Sequence, residues 1–153
     1  MARGRVVFVV GHANWGKSRT LRALTSGNPH QRRVQIGGVE FFIRRMSNDD
    51  RPNDFYEFIR DVQPSEKSDL IIAFCPAFEE PRTRWCLEQL QVKEYRLFFW
   101  VLHQQYGNGR FVTPDETRRL RGYGVVDIFD DGQAEDRRRA TSLRIFVENV
   151  VLA

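Results

Sequence analysis

Residues Val6-Val7-Phe8-Val9-Val10 form an unbroken β-branched and aromatic run near the start of the chain. A run without polar alternation predicts a strand covered on both faces, as in a parallel sheet. Leu70-Ile71-Ile72-Ala73-Phe74, ended by Pro76, and Arg96 to Leu102 repeat the pattern. Arg33 to Ile36 and Val39 to Met46 flank Gly37-Gly38 and predict an antiparallel hairpin. Val125 to Phe129 reads as the last strand.

Helical spacing fills the gaps between these runs. A helix follows Lys17, with Leu21 and Leu24 three apart, and Ser26-Gly27-Asn28-Pro29 stops it. Asn53 to Val62 sets Phe55, Phe58, Ile59 and Val62 on one face, with Asn53 or Asp54 near the cap. Arg82 to Lys93 turns Trp85, Cys86, Gln89 and Leu90 inward. Pro114 opens a short helix to Arg121. Ala134 to Leu152 closes the chain, its stripe made of Leu143, Phe146, Val147, Val150 and Val151. This order predicts an α/β fold of three layers: a mostly parallel sheet of about six strands with one antiparallel hairpin edge, and helices on both faces. Residues 1–153 read as a single domain, with ligands gathering at the carboxyl ends of the strands.

Composition narrows the class without changing the fold. The chain has 153 residues, 41% of them hydrophobic and 12% aromatic, which suits a packed core rather than disorder. No apolar stretch is long enough to cross a bilayer, and residues 1–5 lead straight into a strand, so a cytoplasmic location is the expectation. Cys75 and Cys86 lie in apolar segments without a C-x-x-C spacing and read as small core residues. Net charge is +4. The arginines are interleaved with acids, so Arg118-Arg119-Leu120-Arg121 and Arg137-Arg138-Arg139 read as solvated helix faces, and nucleic acid is not favoured as a partner.

The chemistry sits between the first strand and the first helix. Gly11-His12-Ala13-Asn14-Trp15-Gly16-Lys17-Ser18 fits G-x-x-x-x-G-K-[ST] at every fixed position, a coincidence of about one in a thousand for a shuffled chain of this composition. Two glycines let the backbone turn tightly so that successive N–H groups converge on an anion, and the helix N-terminus adds partial positive charge. Lys17 is suited to the β- and γ-phosphates, and the Ser18 hydroxyl to Mg²⁺. Gly11, His12, Ala13, Asn14, Trp15, Gly16, Lys17, Ser18 and Arg19 make up the predicted phosphate-binding segment. Trp15 suits stacking on a base or packing as a lid.

Through these residues, about 5 to 26, the chain resembles the P-loop nucleoside-triphosphatase superfamily, and its element order is similar to that of small Ras-type GTPases. The resemblance implies a nucleoside triphosphate, ATP or GTP, bound with Mg²⁺. It also implies a metal-proximal acid after the hairpin, where Asp49 and Asp50 stand; the alternative is that Ser47-Asn48-Asp49-Asp50-Arg51-Pro52 is a polar turn. Asp69 precedes its strand and is at the wrong end. Glu79 and Glu80 are at the correct end and suit either acid–base work or a helix start. The guanine-reading N/T-K-x-D motif is missing where the resemblance places it, at His103-Gln104-Gln105-Tyr106, so guanine specificity is unsupported, and ATP is favoured over GTP on abundance. His12, His30 and His103 read as ordinary polar positions.

The resulting expectation is Mg²⁺-dependent triphosphate binding with slow hydrolysis, coupled to a protein partner. Lys17, Asp49 and Asp50 are the candidate catalytic groups and Ser18 and Asp49 the candidate metal ligands. Arg110 or Arg118 is a candidate source of transition-state charge, and residues 104 to 114 a candidate mobile loop. A nucleotide or small-molecule kinase with residues 110 to 121 as a lid, and a non-catalytic sensor, adaptor or Ras-like switch, stand as alternatives.

Overall fold

The computed structural model describes residues 3–12, 16–102, 112–130 and 134–153. Six strands form one sheet: β1 (Gly4–Val10), β2 (Arg33–Ile36), β3 (Val39–Arg44), β4 (Asp69–Phe74), β5 (Tyr95–Leu102) and β6 (Gly124–Phe129). Their order is β2-β3-β4-β1-β5-β6, parallel throughout except for the β2–β3 hairpin. That hairpin turns on Gly37 and Gly38, both at positive φ, as a two-residue turn requires. The α/β class, the mostly parallel sheet and its antiparallel edge are as the sequence predicts.

Alternation along the strands divides the core in two. Val6, Phe8 and Val10 face α2 (Pro52–Asp61), α3 (Pro81–Val92) and α4 (Pro114–Arg121), packing against Phe55, Ile59, Cys86, Leu90 and Leu120. Val7 and Val9 face the opposite way, against Leu21 and Leu24 of α1 (Lys17–Leu24) and Leu143 and Phe146 of α5 (Asp136–Phe146). Residues 6 to 10 are all fully buried, which explains why the run carries no polar position.

Helix ends agree with the sequence to within a residue or two, with two differences. Arg51, not Asn53 or Asp54, precedes α2, because Pro52 fills the first helical position where no N–H is needed. The closing helix changes to a five-residue π-turn, Val147–Val151, after Phe146. The wider turn rotates Val150 out of the predicted apolar stripe, and it is exposed while Val147 and Val151 remain buried.

The helix that follows β1 runs on one face and the helix that follows β5 on the other. The carboxyl ends of these neighbouring strands therefore flank a switch point, where α/β sheets place their ligands.

Candidate functional site

Gly11 and His12 leave β1 at this crevice, and Gly16 re-enters at the foot of α1 with φ 93°, ψ 19°. That left-handed conformation suits glycine. A Cβ on Gly16 would lie 2.6 Å from Nη1 of Arg139, whose side-chain end would have to shift. Arg139 is therefore not on a solvated face, as the sequence suggested; it is buried against the start of α1. Among the described residues no side chain caps α1, and its first turn holds no acid. An uncompensated helix N-terminus carries partial positive charge. Ala13, Asn14 and Trp15 lie outside the described residues.

Lys17 is buried. Its ammonium donates to the carbonyl of Gly11 at 2.6 Å and to that of His12 at 3.3 Å, and lies 3.5 Å from Oδ1 of Asp49. The cation thus links the exit of β1 to the loop after β3. Ser18 and Arg19 are exposed on the first turn of α1. Thr20 donates back to the Gly16 carbonyl at 2.8 Å, fixing that turn.

Asp49 reaches Lys17 although β4 separates the hairpin from β1. Its loop folds on itself: the Ser47 hydroxyl donates to the carboxylates of Asp49 and Asp50, and the Ser47 N–H donates to Asp50 at 3.2 Å. Asp50 accordingly closes a turn, whereas Asp49 combines turn and cation contacts. The anchor is Asn48, which sequence reasoning passed over as one member of a polar turn. Its buried side chain accepts from the Cys75 N–H at 2.7 Å and donates to the Cys75 carbonyl at 2.9 Å. This two-point clamp mimics a strand pairing and ties the loop to the end of β4. An amide beside two acids carries no sequence signal that would single it out.

Other candidates separate cleanly. Glu80 caps α3, accepting from Arg82 N, and the Arg82 guanidinium holds its carboxyl below the usual range. Asp69 pairs with Arg5 at the amino end of the sheet. Arg118 and Arg119 both pair with Asp115 on the exposed face of α4. His103 and Arg110, with residues 104 to 111 of the candidate mobile loop, lie outside the described residues.

His12 differs most from expectation. Its Nε2 lies 3.0 Å from Glu116 and its Nδ1 3.7 Å from Sγ of Cys75. Those hydrogen bonds, to Cys75 and then to Glu116, outweigh partial burial and raise the imidazole to about 9. Glu116 is also half of a capping box on α4, exchanging hydrogen bonds with Thr113. It is held below the usual carboxyl range against its own desolvation by His12 and Thr113.

An open depression of about 460 Å³ lies at the start of α5, lined by Ala134, Glu135, Arg137, Arg138 and Thr141. None of its lining residues belongs to the segment from Gly11 to Arg19, so the candidate site is located by Lys17 and Asp49 rather than by this depression.

No protein-family model and no curated protein matches this chain. Among solved structures it is similar to a de novo designed protein of the PLOOP2X3 fold determined by solution NMR. That likeness has a TM-score of 0.56 and 17% identity, and covers 97% of this chain and 95% of the designed one. At that identity the likeness concerns the path of the backbone, and on that path the chain has a P-loop-like fold.

Proposed function

We propose that the protein binds a nucleoside triphosphate with Mg²⁺ at the segment from Gly11 to Arg19 and hydrolyses it slowly, with ATP favoured over GTP and a protein partner reading the bound state. The observation that carries this reading is the placement of Lys17. A buried ammonium stands on the first residue of a helix with no side-chain cap among the described residues, at the carboxyl end of the central strand, with an aspartate beside it. Phosphate oxygens replace the Gly11 and His12 carbonyls as acceptors of Lys17, exchanging one set of hydrogen bonds for stronger, charge-assisted ones. Backbone N–H groups of the loop and of α1 receive the remaining oxygens.

Ser18 and Asp49 offer the hard oxygen donors that suit Mg²⁺. Bound there, the ion would neutralise phosphate charge as it builds up in phosphoryl transfer. In the hydrolytic step water attacks the γ-phosphorus and the bond to the bridging oxygen breaks, leaving diphosphate and phosphate. Ser47 holds the Asp49 carboxylate in place through its hydroxyl.

One observation favours the non-catalytic reading. The strand beside β1 ends in Phe74-Cys75-Pro76, without a carboxylate to orient water. Thermal shift with ATP, GTP and their diphosphates, with and without Mg²⁺, tests binding, because a ligand of the native state raises apparent stability. At a hundredfold excess over Kd the stabilisation is about 2.7 kcal/mol. Lys17→Ala abolishes it if the site is as proposed, and equal shifts in both proteins refute it. Phosphate release over hours, with and without acceptors, then separates hydrolase, kinase and passive binder.

A further inference from the structure

Cys75, His12 and Glu116 come from three separate elements, the end of β4, the exit of β1 and the first turn of α4, yet stand in line at the carboxyl edge of the sheet. Sγ of Cys75 is 3.7 Å from Nδ1 of His12, and Nε2 of His12 is 3.0 Å from Glu116. Thiol, base and orienting carboxylate in this order form the relay that activates a cysteine nucleophile. The phosphate-binding reading uses none of the three side chains.

The relay is held firmly. Cys75 is fixed by its N–H and carbonyl in the Asn48 clamp. Glu116 is fixed by the N–H of Thr113 at 2.8 Å. Among the described residues, Glu116 faces the ring, while Lys17 donates to the His12 carbonyl and pairs with Asp49. Cys75 is 6% exposed and the side chain of His12 30%, so solvent reaches the pair from the His12 side. Cys86 provides a contrast within the same molecule. It is 1% exposed beneath α3, and burial pushes its thiol up to about 12.

We infer that Cys75 is a reactive thiol, with His12 taking its proton and Glu116 orienting the imidazole, and that it captures small electrophiles, peroxide in particular. With hydrogen peroxide the thiolate sulfur attacks one oxygen and the O–O bond breaks. The departing hydroxide takes the proton from His12 and leaves as water, giving a sulfenic acid on Cys75 and reducing the peroxide by two electrons.

A thiol whose proton a neighbouring base can take presents more of the nucleophilic thiolate, a gain partly offset by lower intrinsic nucleophilicity. The test is the alkylation rate of each cysteine by iodoacetamide at pH 6.5, read by peptide mass spectrometry on the folded protein. Cys75 is expected to react at least about tenfold faster than Cys86, and His12→Gln to remove most of that advantage. Transient opening exposes both cysteines, so their ratio separates activation from unfolding. Glu116→Gln gives a smaller loss and serves as a second variant if His12→Gln does not fold. Peroxide followed by dimedone labels residue 75 in the wild type and not in His12→Gln. Equal rates at the two cysteines, or a Cys75 rate unchanged within twofold in both variants, overturn the inference. No nucleotide enters these measurements, so their failure leaves the phosphate site standing, and the failure of that site leaves them intact.

Discussion

Asn48→Ala tests how the loop carrying Asp49 is held. The substitution removes the acceptor of the Cys75 N–H and one donor to the Cys75 carbonyl. The two losses are unequal: the carbonyl retains the Ala77 N–H at 2.9 Å, whereas the buried N–H of Cys75 loses the partner that completes it. An orphaned buried donor costs about 1–3 kcal/mol and a lost net hydrogen bond about 1 kcal/mol, so the expected destabilisation is about 2–4 kcal/mol. For a domain of this size that lowers Tm by about 5–15 °C. Asn48→Asp makes a sharper comparison. It keeps an acceptor for the N–H but sets a second oxygen against the Cys75 carbonyl at the 2.9 Å contact, so the variant is at least as unstable at pH 7. Protonation restores a donor, and its deficit shrinks as pH falls toward 4. Urea denaturation across pH measures both. A loss below about 0.5 kcal/mol for Asn48→Ala, or an Asn48→Asp deficit that ignores pH, refutes the clamp.

The close approach of β5 and β6 predicts a second effect: a Cβ on Gly124 would lie 2.0 Å from the Leu97 carbonyl oxygen, backbone against backbone, so Gly124→Ala costs about 3 kcal/mol or more. Gly27→Ala, at φ 85° with no atom within 4 Å, pays the conformational penalty alone, about 1–2 kcal/mol, and paired denaturation curves check the order. The imidazole of His12, raised from 6.5 to about 9, contributes stability that is full below pH 6.5 and lost as pH rises through about 9. Its ceiling is about 3 kcal/mol, reduced to about 1–2 by solvent at this partly exposed site. Glu116→Gln should flatten the decline between pH 7 and 10, and an unchanged slope counts against the pairing.

Where physics is local, the sequence was legible. Val6 to Val10 could be apolar throughout because both faces of β1 are covered, and Pro114 marks a helix start because its missing N–H costs nothing there. Strand order was not legible: that β4 lies between β1 and the hairpin depends on pairings between distant segments, which no local pattern encodes. His12 and Glu116 are 104 positions apart, and a histidine inside a phosphate-loop pattern gives no hint of a carboxylate on another helix. Arg139 looked like part of a basic run because burial depends on α5 crossing the foot of α1. The sequence offered Asp49 and Asp50 as metal-proximal acids or as members of a polar turn; the contact of Asp49 with Lys17 and the role of Asp50 in closing the turn depend on the fold of the Ser47 loop.

Charge at this site is a matter of placement rather than of total. Arg118 and Arg119 of α4 pair with Asp115, Arg60 with Asp61 and Arg82 with Glu80, all exposed pairs worth little. Lys17 and Arg139 differ because both are buried, and both lie at the foot of α1. A buried cation needs a compensating partner, and Lys17 finds two main-chain carbonyls and Asp49. The exit of β1 at Gly11 and His12 is therefore held by the ammonium that, under the proposed function, a phosphate would recruit. Under the proposed function a polyanion would compete with those carbonyls and would meet a cation already desolvated and held in position, which would lower the ordering cost of binding. The net charge of +4 would say nothing of this, since an equal excess spread over the exposed pairs would leave no concentrated field at the end of β1.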